Sequence, residues 1–356
     1  MFSNKGIWVG AALMVGCNLS PRVTDEYLSA IPDESALQLE VTGDASETAE
    51  KAVGAFSAQA PGDGNVAEFL HKAREKARQL NQGMRSVAER LFAFAENHDY
   101  TQEGNTRTYG PALVDGIQYQ LVVTRVEQGF RWHFDAAPEG ATEFQVIATG
   151  GGIRGDAANR GRGVAGFDLD KLAEIDTDYL GAGKLFASYA HSGENKVLGY
   201  RAREFTPNSE VHAPVTAAFL GSKSALGVHR IRLAGRVNLD ASATPAEELV
   251  RIRVRFKRGV GGRADLLATS GDVPENKVWL GSACWDAVGR EGFKIVRECE
   301  RESRLTCTVL YTVGQLSNCA PDLRTEETPT DDPSDVTPEP DAPVAFEPVP
   351  DAFPTP

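Results

Sequence analysis

Cysteine carries the most definite chemistry in this 356-residue chain, and its five copies divide into one and four. Cys17 stands behind a basic start at Lys5, an apolar run over 7–15 and the small-residue approach Met14-Val15-Gly16. That layout is a secretory signal with its cleavage site before the cysteine, so residues 1–16 are expected to be a removed signal peptide. The apolar run is too short for a spanning helix, which needs about 20 residues. The other four, Cys284, Cys299, Cys307 and Cys319, cluster late in the chain. In an exported protein an even number of clustered cysteines is expected to form disulfides. Residues 293–300 and 304–313 read as strands, and a hairpin centred on Ser303 sets Cys299 opposite Cys307. Opposed residues hold their Cβ atoms about 4.5–5.5 Å apart. A disulfide needs roughly 3.5–4.5 Å, a gap that a twisted ribbon can close. Cys284 is then left to pair with Cys319. No CxxC pair and no neighbouring histidine points to zinc.

The segment ending at Cys17 resembles the lipobox of bacterial lipoproteins, with Met14 where leucine is usual and Leu13 one place early. The resemblance implies that the Cys17 thiol is acylated, with palmitate-type chains, and that Cys17 becomes the new N-terminus of a chain tethered to the cell envelope. Two or more acyl chains hold a protein stably, whereas one does so only marginally. Asn18, rather than Asp, follows the cysteine, which in that family's better-known sorting rule leans toward the outer membrane. A secretory peptide cleaved at another small residue is the alternative reading.

Elsewhere the reactive residue types are scattered. Gly161-Arg162-Gly163-Val164-Ala165-Gly166 fits G-x-G-x-x-G, a fingerprint that has meaning only between the strand and helix of a βαβ unit. Here it falls in a glycine-rich stretch from Gly150 that reads as a loop among antiparallel strands. Arg154-Gly155-Asp156 spells an adhesion tripeptide without supporting context. Asp168-Leu169-Asp170 and Asp176-Thr177-Asp178 form the densest acidic cluster of the folded part. A calcium loop needs six to eight oxygens and a central glycine, but Leu172 and Ala173 occupy those places. A short helix capped by Asp168 or Asp170 accounts for the same residues. The histidines His71, His98, His133, His191, His212 and His229 are never three or four apart, and no G-x-S-x-G or H-E-x-x-H pattern occurs. A non-catalytic protein without metal or cofactor is expected.

Charge is unevenly placed. The net charge of −13 is concentrated in 321–356, where ten acids face Arg324 alone and ten of the nineteen prolines lie. Such a segment buries too little apolar surface to offset its ordering entropy and is expected to be disordered, with its prolines favouring an extended chain. Between Lys196 and Arg263, by contrast, thirteen Lys or Arg stand against five acids. Arg251, Arg253, Arg255 and Lys257 alternate with apolar residues, the pattern of a half-buried strand. A second strand over 228–239 adds Arg230, Arg232 and Arg236. Paired, the two would form a cationic patch suited to an anionic lipid, a glycan or a protein partner, including the chain's own acidic tail. Aromatic residues for stacking bases are absent from the patch, so nucleic acid is not expected.

The elements that must position these residues are mostly strands. Over 65–97, Val66, Leu70, Ala73, Ala77, Leu80, Met84, Val87, Leu91 and Phe94 step by four and three. That spacing predicts a long amphipathic helix packed on a sheet, the alternative being a coiled-coil seam. From 106 to 313 alternating strands follow, separated by turns such as Asp115-Gly116 and Ser192-Gly193-Glu194-Asn195. Connections this short force an antiparallel meander, and about twelve strands should curl or split. The expected class is α+β, mainly β: a large curved antiparallel sheet holding the helix.

That arrangement is similar to lipoprotein-carrier folds of the Lol type, at the level of architecture alone. The segment from Cys284-Trp285-Asp286 to Asn318-Cys319 resembles the C-terminal part of uncharacterised β-rich lipoproteins of Gram-negative bacteria, which brings no activity with it. The expected organisation is a signal peptide over 1–16, a lipid-anchored tether and N-terminal segment over 17–64, a helix and sheet domain over 65–320, and the acidic tail over 321–356. The function this implies is non-catalytic binding or a structural role in an anchored envelope lipoprotein. A lipid or lipoprotein carrier is the alternative, and an envelope hydrolase is the more distant one.

Overall fold

Strands adjacent in sequence are adjacent in space throughout the computed structural model, all antiparallel, in a single sheet. The structure describes residues 26–28, 31–32, 37, 68–154, 161–206, 215–237, 239, 246–257, 259–287, 289–304 and 306–324. The signal segment, Cys17, most of 17–64, Gly155, Asp156, His212 and the tail over 325–356 lie outside these residues. The fifteen strands are β1 (Tyr100–Glu103), β2 (Thr106–Val114), β3 (Ile117–Val126), β4 (Gly129–Pro138), β5 (Gln145–Arg154), β6 (Gly161–Asp168), β7 (Ala182–Ser192), β8 (Asn195–Thr206), β9 (Val215–Lys223), β10 (Val228–Val237), β11 (Glu248–Lys257), β12 (Gly261–Thr269), β13 (Lys277–Trp285), β14 (Glu291–Glu300) and β15 (Cys307–Gly314). Two helices accompany them, α1 (Glu68–Asn97) before β1 and α2 (Leu169–Ile175) between β6 and β7. Among the described residues no helix is long and apolar enough to cross a membrane.

The turns explain the meander. Asp115 and Gly116 both take positive φ (49° and 82°), the backbone that a two-residue hairpin demands. Short turns of this kind hand most strands directly to the next, and the longer connection through α2 still joins β6 to an antiparallel neighbour, β7. Along β11 the alternation of buried and half-buried residues puts Val250, Ile252, Val254 and Phe256 inward and the arginines outward.

The inward faces close on α1, which buries Phe69, Ala73, Ala77, Leu80, Met84, Leu91 and Phe94. Its neighbours include β3, β8, β11 and β12. Strands so far apart in order can meet one helix only if the sheet curls around it. Two glycines set how close they come. A Cβ on Gly83, in the middle of α1, would lie 2.2 Å from the Phe205 ring, and one on Gly281 would lie 2.8 Å from the Phe69 ring. Both rings are fully buried, each contributing about 1.5–3 kcal/mol of burial. Gly83 costs helix propensity and gives Phe205 its seat.

The structure corrects the sequence reading in four places. Among the described residues the strands number fifteen rather than about twelve. The described parts of the stretch from Gly150 are paired strand, not loop: Gly150, Gly151 and Gly152 belong to β5, and Gly161, Gly163 and Gly166 to β6. Glycine is depleted in strands, but here aromatic rings lie over it. A Cβ on Gly150 would sit 2.3 Å from the Trp132 ring, and one on Gly163 would sit 2.5 Å from the Tyr189 hydroxyl. Part of the expected tether is core: Tyr27, Ile31 and Leu37 are buried. Tyr27 packs edge-on against Phe130 at 5.3 Å and under the Arg107 guanidinium at 4.0 Å. The Leu37 carbonyl accepts from the Tyr200 hydroxyl. Finally, described structure continues past 320, where Leu323 is buried.

Candidate functional site

A cavity of about 410 Å³ opens between the C-terminal half of α1, strands β2 to β6 and α2. Its volume lies in the range of small-molecule pockets. Phe94 from α1 and Phe134 from β4 meet edge-on at 5.3 Å, and Tyr119 from β3 stacks on Phe134 at 5.4 Å. Ile147, Ala148, Phe167, Leu169 and Leu172 continue the apolar lining. The polar groups are few: Arg90 and Asn97 from α1 and His98 just past its end, with Asp115, Asp168, Asp176 and Tyr179 opposite.

Burial dominates the electrostatics of the wall. It pushes the Tyr119 phenol up to about 12, with Asp176 adding to the shift and Arg90 opposing it. The Tyr179 phenol is raised chiefly by burial, again against Arg90, whose guanidinium lies 5.4 Å from the Tyr179 ring centre. A phenol that stays neutral well above its ordinary range offers a hydrogen-bond donor and no base at neutral pH. His98 is held by the Phe94 carbonyl at 2.8 Å and stacks on Phe94 at 4.3 Å. The wall therefore combines an apolar interior with a mixed-charge rim.

The acidic cluster turns out to be part of this wall. Asp168 caps α2 by accepting from the Lys171 amide at 3.2 Å, and it pairs with Lys184 Nζ at 2.7 Å. Asp170 accepts from the Gly183 amide at 2.6 Å, and Asp176 accepts from the Asp178 amide at 3.1 Å. Their oxygens are engaged in building α2 and its junction with β7. No three metal-ligating side chains come together among the described residues. The histidines stay apart as well: His133 pairs with Asp135 at 2.8 Å, His191 packs edge-on against Tyr189 and His229 stacks on Phe256.

The cysteines come together in two pairs. Cys299 and Cys307 face each other across the β14–β15 hairpin, with Cα atoms 4.0 Å apart. Cys284 in β13 is bonded to Cys319, Cα to Cα 5.7 Å, and so pins the C-terminal segment to the outer face of the sheet. Beneath that segment Cys284, Cys319 and Phe293 form a small buried cluster of their own, with Ile295 packed against it.

The seven cationic residues of the patch also lie on the outer face. Strands β10 and β11 pair so that Arg230 faces Arg255 and Arg232 faces Arg253, with Arg236 and Arg251 further along and Lys257 at the end of β11. Like charges directly opposed destabilise a sheet, so this arrangement carries a cost. A hollow of about 160 Å³ lies among Arg230, Arg232, Arg253, Arg255 and an eighth cation, Arg263 of β12. Arg263 is buried and paired with Asp265 at 2.8 Å, which in turn accepts from Ser282 Oγ at 2.7 Å. Sequence spacing missed Arg263, because its role depends on a contact with the C-terminal segment 60 residues away. It also missed Tyr119, Phe134 and Tyr179, which look like ordinary strand and loop residues until the sheet curls.

Compared with known proteins, the chain matches no protein-family model, no curated protein and no solved structure.

Proposed function

We propose that this protein is a non-catalytic lipoprotein of the cell envelope, anchored through Cys17 at the outer membrane, whose β-rich domain binds a single-chain amphiphile between helix and sheet. The observation that carries the reading is the apolar cavity of about 410 Å³ walled by Phe94, Tyr119, Phe134, Ile147 and Phe167. At about 30 Å³ per small liquid-packed group, it has room for on the order of a dozen such groups, the scale of an acyl chain. Arg90, His98 and the neutral phenols of Tyr119 and Tyr179 stand where a polar head would emerge. Among the described residues the cavity wall holds no nucleophile–base pair, which fits retention of a ligand better than turnover. A carrier role of the Lol-like kind is this same binding with release added, and the cavity favours it over a purely structural part.

The test is displacement of a fluorescent fatty acid from the full-length protein in detergent-free buffer. Ala93 lines the cavity from an exposed position on α1, so Ala93→Trp fills it without disturbing the core. One-to-one binding that weakens at least tenfold in Ala93→Trp is expected. Equal affinity in the two proteins, or no saturable binding, would overturn the proposal.

A further inference from the structure

The turns that join alternate strands lie side by side at one end of the sheet. A register row runs across that end through His191, Lys196, Lys223, His229 and Phe256. Beyond it project the tips of three neighbouring hairpins, β7–β8 at 193–194, β9–β10 at 224–227 and β11–β12 at 259–260. Over 191–197, 222–230 and 255–262 these hairpins bring six Lys or Arg against Glu194 alone. Contacts with neighbours inside the fold do not alter that imbalance along the tips. The opposite end of the strands is richer in acid. Asp115, Asp170, Glu174 and Asp176 stand there around α2 and the cavity, with Glu247, Asp272 and Glu275 in the turns before β11 and β13.

The middle tip is built to hold an apolar side chain in the open. The Ser224 amide donates to the Val228 carbonyl at 3.0 Å, Gly227 takes a positive φ of 71°, and the Ala225 amide donates to Asn195 Oδ1 of the adjacent tip at 3.0 Å. Leu226 is thereby kept 79% exposed, above every other large apolar residue described, with Val197 and Val260 also exposed on the flanking hairpins. A turn so fixed gives the leucine no shelter within the chain, and exposed apolar groups rimmed by polar ones mark contact surfaces. We infer that this end of the sheet is a membrane-contact face: Leu226 and Val260 enter the interface of an anionic phospholipid bilayer while Lys196, Lys223 and Lys257 meet its head groups. Apolar insertion and cationic attraction add in such a contact. The N-terminal segment joins the fold at the same end. Glu26 pairs with Arg125 near the end of β3, and Tyr27 packs on Phe130 near the start of β4. Cys17 is nine residues ahead of Glu26, a reach of at most about 32 Å. The ten residues of β3 alone span about 33 Å. An anchor at Cys17 thus brings the lysine-bearing tips to the bilayer and turns the cavity end away from it. That orientation rests on the anchoring proposed above, whereas the leucine tip and its lysines do not.

The test uses the full-length chain with Cys17→Ser, which carries no acyl anchor, so its outcome is separate from that of the anchoring proposal. Leu226→Trp in this background is mixed with vesicles of brominated phosphatidylcholine, with or without phosphatidylglycerol. Residue 226 is exposed at a turn, so the substitution leaves the fold intact. Tryptophan emission from 226 should be quenched in the anionic vesicles, and a tryptophan set at the opposite end by Glu302→Trp, also exposed, should not be. Lys223→Gln with Lys257→Gln should weaken binding to the anionic vesicles at least tenfold, whereas Arg301→Gln at the opposite end should leave it unchanged. Absence of quenching at 226, or equal quenching at 226 and 302, would overturn the inference. Lysine variants that bind as tightly as their parent, or an equal loss in Arg301→Gln, would do the same. Binding that Leu226→Ser with Val260→Ser leaves undiminished would also overturn it, by assigning the lysines to a soluble polyanion.

Discussion

Replacing Gly83 by alanine sets two well-characterised effects against each other, and the structure says which wins. In an exposed helix interior the change should stabilise by about 1 kcal/mol, since glycine pays the larger backbone entropy. At this position the new Cβ would lie 2.2 Å from Phe205 Cζ and 2.5 Å from Cε1, against about 3.5–4.0 Å for an ordinary carbon contact. The ring must retreat by more than about 1 Å to restore that spacing, yet Phe205 is fully buried and its strand is held between β7 and β9. Overpacking of this kind costs about 1–3 kcal/mol, and the severity of the overlap points to the upper part of that range. The net expectation is a loss of about 1–2 kcal/mol. Urea unfolding followed by circular dichroism measures it as a lower midpoint at unchanged slope. Shrinking the ring should reverse the sign, so Gly83→Ala in a Phe205→Leu background should be neutral or stabilising, with a coupling of at least about 1 kcal/mol. A Gly83→Ala protein at least as stable as wild type, or one equally destabilised in both backgrounds, would refute the packing of α1 against the sheet at Phe205.

Two other perturbations have definite outcomes. Cys284→Ser with Cys319→Ser opens a loop of 35 residues, which in the chain-entropy account lowers stability by about 4 kcal/mol, read from the denaturant midpoint. It should also raise hydrogen exchange over 315–324. On alkaline titration monitored by phenolate absorbance, Tyr119 should ionise near pH 12 rather than 10 and Tyr179 should lag behind exposed tyrosines, both because burial disfavours the phenolate. The folded form holds those protons longer than the unfolded chain. Their contribution to stability is therefore complete below about pH 10 and is lost as the pH climbs toward about 12. Midpoints rising across that interval would contradict the assignment.

How far the sequence reached depended on whether a signal was local. Strand alternation, the Asp115-Gly116 turn and the Ser303-centred hairpin are short-range patterns, so the antiparallel meander and the opposition of Cys299 to Cys307 were legible. The glycines of β5 and β6 read as loop because the rings of Trp132 and Tyr189 that cover them come from other strands. Asp168 was legible as a cap, since the helix it starts is seven residues long and adjacent. Its place in a cavity wall was not, because that wall is assembled from α1, five strands and α2. The arginine alternation on β11 was visible, whereas the role of Arg263 awaited its bond to Leu323. Residues that meet through the curl of the sheet leave no mark on local spacing.

An acyl-chain amphiphile held between α1 and the sheet should survive gentle release of the protein from its envelope. Native mass spectrometry detects it without assuming the ligand's identity. The expected spectrum shows a one-to-one adduct of a single-chain lipid mass that dissociates on collisional activation and is missing from the Ala93→Trp variant prepared in the same way. A wild-type protein that flies at its ligand-free mass, or an adduct retained undiminished by Ala93→Trp, would contradict amphiphile binding in this cavity.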